Sequence, residues 1–319
     1  MTTVLVTGIG GRLAQLLAGG LARQAGVRVV GVDRAPVEPS LSGIETHISN
    51  MRGQSLVEVL RESGAEIVIH LAQFGEENAA PGREAAVRGN VITTMELLGA
   101  CVAAGVRRAV LRSSTLVYGV RHDLPALVTE ATPPHMPTRA SLARDYVEIG
   151  RFVGDFASKH PELALTSLHC AGLVGGGVSS PLARYLCQPM PRTMLGFDPR
   201  IQVLHPIDAA AAFALAALAD DIAGPFNIAA DPPLTLSHAI LLAGRRPALV
   251  PGVLFSAAGL LGGYAGRVTG GLPFDPDFLR YSCVVDIRRA QDVLGWLALH
   301  SAEEALRELA PPREVAVNA

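Results

Sequence analysis

Short unbroken apolar runs alternate along this chain with stretches in which apolar residues recur every three or four positions. Thr3–Thr7, Val27–Val32, Ile44–Ile48, Glu66–His70, Arg107–Leu111 and Leu163–Leu168 read as buried strands. Between them, Gly11–Gln24, Gln54–Ser63, Glu84–Ala104 and Ser141–His160 carry helical periodicity; Leu13, Leu16, Leu17 and Leu21, for instance, share one face. Strand–helix alternation of this kind predicts an α/β fold, a doubly wound parallel sheet of Rossmann type with right-handed crossovers.

After Gly175 the rhythm changes. A Gly175-Gly176-Gly177 run opens a Pro- and Gly-rich stretch with short strands predicted at Ile201–Leu204 and Pro225–Ile228. A helix is predicted over Pro206–Ala219, with Pro in its first turn, and a terminal one over Ser301–Leu309. The expected organisation is a dinucleotide-binding domain over 1–175, with 201–230 returning to it, and a smaller C-terminal substrate lobe over 176–319.

Composition narrows the function. The formal net charge of the 319 residues is −2, so no basic face is offered to nucleic acid or an anionic membrane. Cys101, Cys170, Cys187 and Cys283 are widely spaced, giving neither a disulfide framework nor a structural zinc pattern, and no metal is expected. The most apolar stretch, Ala248–Ala265, is interrupted by Pro251 and four glycines. With a strand pattern directly after Met1, the expectation is a soluble cytoplasmic protein.

Thr7-Gly8-Ile9-Gly10-Gly11-Arg12-Leu13-Ala14 lies between the first strand and the first helix. Gly8 permits a tight turn, Gly11 a close backbone approach to a pyrophosphate, and Ala14 close helix–strand packing. The helix start offers unpaired N–H groups and a positive dipole end to phosphates. Asp33 ends the second strand, where a carboxylate accepts from ribose hydroxyls and repels a 2′-phosphate; the expected cofactor is therefore NAD. Arg12 and Arg34 keep NADP open, as either pairs with a phosphate or is simply solvated.

These features resemble the extended short-chain dehydrogenase/reductases, the NAD-dependent epimerase/dehydratase family, along nearly the whole chain. Asn50-Met51 resembles the pair that brackets the adenine. His70-Leu71-Ala72-Gln73 is similar to the segment lying along the cofactor, and Asn90 matches a helix asparagine near the nicotinamide. Ser113-Ser114-Thr115-Leu116-Val117-Tyr118-Gly119 resembles the segment that carries the catalytic Ser/Thr, at Ser114. His205-Pro206-Ile207-Asp208 and the terminal Leu294-Gly295-Trp296 match further family signatures. The resemblance implies NAD as cofactor, a small-molecule substrate and a homodimer built on helices 84–104 and 141–160.

The chain departs from the family at its Tyr-x-x-x-Lys pair, in which the lysine cation lowers the pKa of the tyrosine acid/base. Lys159 is the only lysine, and it follows Asp155 by four residues. Counting back from Leu163–Leu168, the family's tyrosine falls near Leu142 and its lysine near Tyr146. Ser114, Tyr146 and His169 remain as catalytic candidates. Tyr146 also belongs to an apolar stripe with Leu142, Ile149, Val153 and Phe156, which makes it a core or interface residue on the alternative reading. Arg144, which would depress a tyrosine pKa, faces elsewhere on the helix. His169 and Cys170 stand where the family has Arg-Pro, with Cys170 beside the cofactor and His169 either an acid/base or merely hydrogen-bonded. Ser113 is a further cofactor contact, Tyr118 a structural residue of its turn, and Asp208 caps or orients the start of its helix rather than reacting. Gln73, Phe74, Glu76 and Glu77 either reach the pocket or form a solvated loop.

The expected activity is hydride transfer at a carbonyl or alcohol carbon of a small metabolite. Leu254, Phe255, Leu260, Leu261 and Tyr264 suggest an apolar lid and a hydrophobic or acyl-type substrate rather than a nucleotide sugar, or else ordinary core. A non-redox lyase, cyclase or isomerase, and a catalytically silent NAD sensor, are the alternatives that the missing pair leaves open.

Overall fold

The computed structural model describes residues 1–37, 41, 43–49, 53–72, 83–137, 142–220, 222–255 and 275–311, the side chains of 83–88 and 142 excepted. Asn50, Met51, Gln73, Phe74, Glu76, Glu77 and residues 256–265 lie outside the described residues.

A seven-stranded sheet forms the centre. Its strands are β1 (Thr2–Thr7), β2 (Val27–Asp33), β3 (Glu45–Ile48), β4 (Ile67–His70), β5 (Arg108–Ser114), β6 (Ala164–Cys170) and, after the short strands described below, β11 (Gly224–Ile228). The order is β11-β6-β5-β4-β1-β2-β3, with every pairing parallel. The strand order reverses between β1 and β4, the place where doubly wound sheets open a crevice at the carboxyl ends of their strands.

Each sheet face buries its own core. Helices α1 (Arg12–Leu21) and α6 (Pro206–Leu218) pack against each other over Val4, Val6, Ile69, Val110 and Leu168. Helices α2 (Gly53–Ser63), α3 (Arg83–Ala104) and α4 (Leu142–Lys159) cover Leu5, Val30, Val68, Ala109 and Leu165 on the other face. Because side chains alternate across a strand, β1 feeds both cores from consecutive residues, and for this reason its sequence is apolar without a break.

The remaining elements are short. Strands β7 (Gly172–Leu173), β8 (Arg192–Met194), β9 (Arg200–Ile201), β10 (Val203–Leu204), β12 (Leu234–Thr235) and β13 (Ala248–Val250) pair as β7–β10, β9–β12 and β8–β13. With helices α5 (Pro181–Leu186), α7 (Leu236–Leu242) and α9 (Ala302–Arg307) they enclose a further core of Tyr185, Leu186, Ile240, Phe255 and Leu306. Helix α8 (Arg288–Leu294) lies against β11. Among the described residues, no helix is long and apolar enough to cross a membrane.

Three details differ from the sequence reading. Strands β5 and β6 run past their apolar runs to Ser114 and Cys170, because they pair with each other there: Ser113 with His169 and Ser114 with Cys170. The strand predicted over Ile201–Leu204 breaks at Gln202, whose buried amide accepts from Val285 N at 2.7 Å and donates to Val285 O at 3.2 Å. Asp208 does not cap its own helix. The α6 cap is His205, which accepts from Ile207 N, while the fully buried Asp208 carboxylate accepts from Leu299 N at 3.1 Å and His300 N at 3.0 Å. Asp208 thus ties the chain before α9 to the start of α6, and Trp296 adds a bond from its indole N–H to Asp208 O at 3.0 Å.

Candidate active site

The glycine turn is built from backbone contacts that a side chain would destroy. Gly8 has φ +72°, and a Cβ there would stand 2.8 Å from the Cα and N of Ala72. Gly8 N donates to Val32 O at 2.8 Å, holding the turn against the end of β2. Gly11 is the N-cap of α1 with no side-chain cap, and the first turn carries no acid. Gly10, Gly11 and Arg12 are exposed. The helix therefore presents uncapped N–H groups and its positive end, the requirements of a pyrophosphate cradle. Leu13 and Ala14 point into the core between α1 and the sheet, so what they contribute at the turn is backbone and close packing.

Asp33 ends β2 beside this turn. Its Oδ2 accepts from Gly10 N at 2.8 Å and its Oδ1 from Arg34 N at 2.7 Å. Arg12 reaches across to Gly176 O with its Nε at 3.1 Å. Arg34 is exposed.

Beside Gly8, a small cavity with room for about one water molecule is lined by His70, Ala72, Asn90, Thr94, Arg112, Asp145, Tyr146 and Ile149. His70 and Ala72 end β4, Asn90 and Thr94 come from α3, Arg112 from β5, and the other three from the first turns of α4. Leu71 is buried just above it, and its N–H donates to Thr7 Oγ1 at 3.2 Å. Thr7 Oγ1 also accepts from Ala72 N at 3.4 Å, so its own proton goes to His70 Nδ1 at 2.8 Å. His70 is thereby the neutral Nε2–H tautomer, with Thr94 Oγ1 at 3.5 Å from Nε2. Burial pushes its pKa down to about 4.

Asn90 donates from Nδ2 to Asp145 Oδ2 at 3.2 Å, and both residues are buried. Tyr146 is buried as well, packed in the core cluster and lining the cavity at once. The two readings of Tyr146 are therefore compatible. Arg144 pairs with Glu148 at 2.8 Å on the helix surface. The sequence reading missed Asp145: at the family's catalytic position only Tyr146 drew notice, although a carboxylate directly before it on a helix start was the available signal.

Ser113 is buried, and Ser114 is half-buried at the end of β5. Ser114 Oγ accepts from Leu116 N at 3.2 Å, capping the 3₁₀ turn Thr115–Tyr118. Its oxygen is engaged and its proton has no acceptor among the described residues. Cys170 faces inward to the core, and burial pushes its thiol up to about 12; packing is what the structure gives it. His169 is half-buried, with its Nδ1 2.9 Å from the Tyr118 hydroxyl.

Among the described residues, His205, Asp208 and His300 form a group with metal-ligating side chains. The two imidazoles stack, with centroids 4.0 Å apart and planes 25° from parallel, so their in-plane lone pairs run side by side and do not converge on one ion. Asp208 and His205 spend acceptors on backbone N–H groups, as described above. This group is a tether.

The strand order, the uncapped glycine helix start and a carboxylate at the end of β2 define the class: a Rossmann-type dinucleotide enzyme fold. Residues 4–229 match the NAD dependent epimerase/dehydratase family, and the chain belongs to it. Uncharacterized proteins of Mycobacterium tuberculosis and Mycobacterium bovis are 36% identical over 255 residues, covering 78% of this chain and 68% of theirs. Among solved structures, MoeE5 in complex with UDP-glucuronic acid and NAD is 25% identical with a TM-score of 0.72, covering 95% of this chain and 96% of that one. The UDP-glucose 4-epimerase of Stenotrophomonas maltophila with bound NAD shares the fold at 21% identity and a TM-score of 0.75, over 97% of both chains. So does the dTDP-glucose 4,6-dehydratase of Bacillus anthracis, at 14% identity and a TM-score of 0.73 over 97% of this chain and 95% of that one. The family is one of NAD-dependent enzymes, and the chain is an enzyme of that epimerase/dehydratase type.

Proposed function

We propose that this protein binds NAD at the glycine turn and carries out hydride transfer at a carbonyl or alcohol carbon of a small molecule. The observation that carries the reading is the Gly10–Asp33 hydrogen bond beside an uncapped helix start. A carboxylate fixed at the end of β2 supports a grip on the adenosine ribose and repulsion of a 2′-phosphate, which favours NAD over NADP. Gly8, Gly10, Gly11, Arg12, Leu13 and Ala14 form the phosphate side, with Asp33 and Arg34 at the ribose and Asn50 and Met51 at the adenine. Leu71, Ala72, Gln73, Asn90, Ser113 and Cys170 complete the cofactor's surroundings, Cys170 through packing. NAD supplies the hydride acceptor and donor when bound. Ser114 donates its free proton to the substrate oxygen, and Tyr146 or His169 moves the substrate's proton.

The substrate is most consistent with a nucleotide sugar, the class named for MoeE5, which is similar to this chain over nearly its whole length. The apolar-substrate reading rests on less: Val253 and Leu254 are exposed, but Phe255 packs into the core with Tyr185 and Ile240. Residues 1–175 with 201–230 act as the dinucleotide domain and the rest of 176–319 as the substrate lobe. The exposed side of α3 carries Ile92, Met95, Gly99 and Ala103, an apolar face suited to a homodimer. Cys187 is exposed and free, which fits a cytoplasmic enzyme.

The test is to denature the purified protein and identify released nucleotide, then follow isotope from labelled NADH into product. Release of NAD(H) and label transfer support the reading. A protein that neither carries nor binds NAD or NADP refutes it. Turnover in which label passes neither from NADH into product nor from a substrate C–H into the bound cofactor replaces hydride chemistry by a lyase, cyclase or isomerase reaction.

A further inference from the structure

A buried chain of hydrogen bonds fixes which nitrogen of His169 carries its proton. It starts at Asn227, which is fully buried on β11. The Asn227 Nδ2 group donates to Val128 O at 3.3 Å and to Asp286 O at 3.2 Å. Both acceptors are backbone carbonyls, so the amide has one possible orientation and its Oδ1 faces the other way. Asn227 N in turn donates to Glu130 Oε1 at 2.8 Å, holding the strand in place.

Asn227 Oδ1 receives the hydroxyl proton of Tyr118 at 2.8 Å. A phenol has one proton, so the Tyr118 oxygen meets His169 Nδ1, 2.9 Å away, only as an acceptor. Nδ1 therefore carries the hydrogen, and Nε2 carries the lone pair. Burial and the negative charge of Glu130 raise the Tyr118 pKa, so the phenol keeps its proton at neutral pH. Burial pushes the His169 pKa down to about 4, so the ring stays neutral.

His169 stands at the carboxyl end of β6, in register with Ser113 and one residue before the Ser114–Cys170 pair. Ligands of parallel α/β sheets bind at this edge. No hydrogen bond to Nε2 occurs among the described residues.

We propose that His169 is a specificity-determining residue whose Nε2 accepts a hydrogen bond from a hydroxyl of the substrate's sugar, with Tyr118 and Asn227 as the positioning residues that fix its tautomer. The proposal rests on the reading of this cleft as the substrate side of an NAD site. An arginine, which the family resemblance places here, is a fixed donor; this chain puts a fixed acceptor in its place. The position therefore takes hydroxyl groups and disfavours carboxylates and phosphates, which bring no proton to it.

The experiment is ¹⁵N NMR of histidine-labelled, NAD-loaded protein at pH 7, with His169 assigned by its loss in His169→Gln. The expected spectrum shows His169 protonated at Nδ1 and bare at Nε2, and millimolar UDP-glucose moves the Nε2 resonance upfield as it accepts a hydrogen bond. Tyr118→Phe removes the Nδ1 acceptor and gives mixed tautomers, while NAD affinity stays within twofold. A proton on Nε2, an imidazolium at pH 7, or an Nε2 signal unmoved by UDP-glucose overturns the proposal. Failure of the protein to take up NAD is a different result, and refutes the dinucleotide reading itself.

Discussion

Asp33 Oδ2 and the backbone nitrogen of Gly10 are 2.8 Å apart, and this one bond couples the end of β2 to the glycine turn 23 residues earlier. The same carboxylate oxygen is 3.1 Å from where a Gly10 Cβ would stand, so a side chain there would press the acid back by a few tenths of an ångström. Asp33→Asn keeps the shape and removes the charge. Hydrogen bonds to charged groups contribute about 1.5–3 kcal/mol, so calorimetry should show NAD affinity falling by roughly tenfold or more. NADP affinity should rise, because the repulsion of a 2′-phosphate is gone. Unchanged preference would remove Asp33 from the ribose site.

Gly8 carries a different constraint. Its φ of +72° and the 2.8 Å approach to Ala72 backbone leave no room for a methyl group. Gly8→Ala combines left-handed strain, on the order of 1–3 kcal/mol, with a clash against backbone that cannot rotate away. Urea unfolding should show a loss of at least about 2 kcal/mol, together with loss of NAD binding. Gly19→Ala makes the control: a Cβ there meets nothing within 4 Å, and helix propensity favours the change.

Why these two glycines were legible and Asp145 was not is a matter of range. Gly8, Gly10 and Asp33 act through a local pattern of strand, turn and helix, which sequence spacing records. The continuous apolar runs of β1 and β4 likewise report burial on both faces. The strand ends of β5 and β6 were missed because Ser113, Ser114, His169 and Cys170 owe their strand state to pairing with each other, across more than fifty residues of chain. Asn227, Tyr118 and His169 form a network only through three separate strands and turns. Asp208 reads from its position as capping or orienting its helix start; its actual partners, Leu299 N and His300 N, arrive some ninety residues later and leave no local signal.

Acid should weaken the fold in a defined window. The His70 pKa is about 4 in the folded protein, set by burial, against about 6.5 unfolded. Above pH 6.5 the ring is neutral in both states and its contribution is whole. As pH falls, the unfolded chain binds the proton first, so stability declines until about pH 4 and then levels. The span is about 3 kcal/mol for this one ring. His70→Asn should flatten the pH dependence of urea midpoints between 6.5 and 4, whatever it does to the midpoint at pH 7. An unchanged slope would mean that His70 already titrates normally in the fold.

The α3 face predicts assembly. Ile92 and Met95 are 43% and 42% exposed, one turn apart, with Gly99 and Ala103 continuing the row. An apolar row on a helix surface marks an association site more often than an isolated exposed side chain does. Light scattering should give the mass of a dimer, and Met95→Glu should shift it to monomer with little change in far-UV circular dichroism. A monomeric wild type would leave the row without this role.

Ser114 offers the sharpest separation of binding from chemistry. Its oxygen is held by Leu116 N at 3.2 Å, so the hydroxyl is oriented by its own turn and its proton points where the turn permits. Ser114→Ala loses one donor to the substrate oxygen. If that donor works mainly on charge developing in the transition state, kcat falls about 100-fold or more with KM within a few fold, as for other oriented donors. NAD affinity should not change if, as proposed, Ser114 serves the substrate and not the cofactor. Tyr146→Phe keeps the buried ring and removes only the hydroxyl, so it separates the two roles that the helix allows. Wild-type turnover would make Tyr146 a core residue alone, and a loss of kcat with an altered pH profile would make it the proton relay.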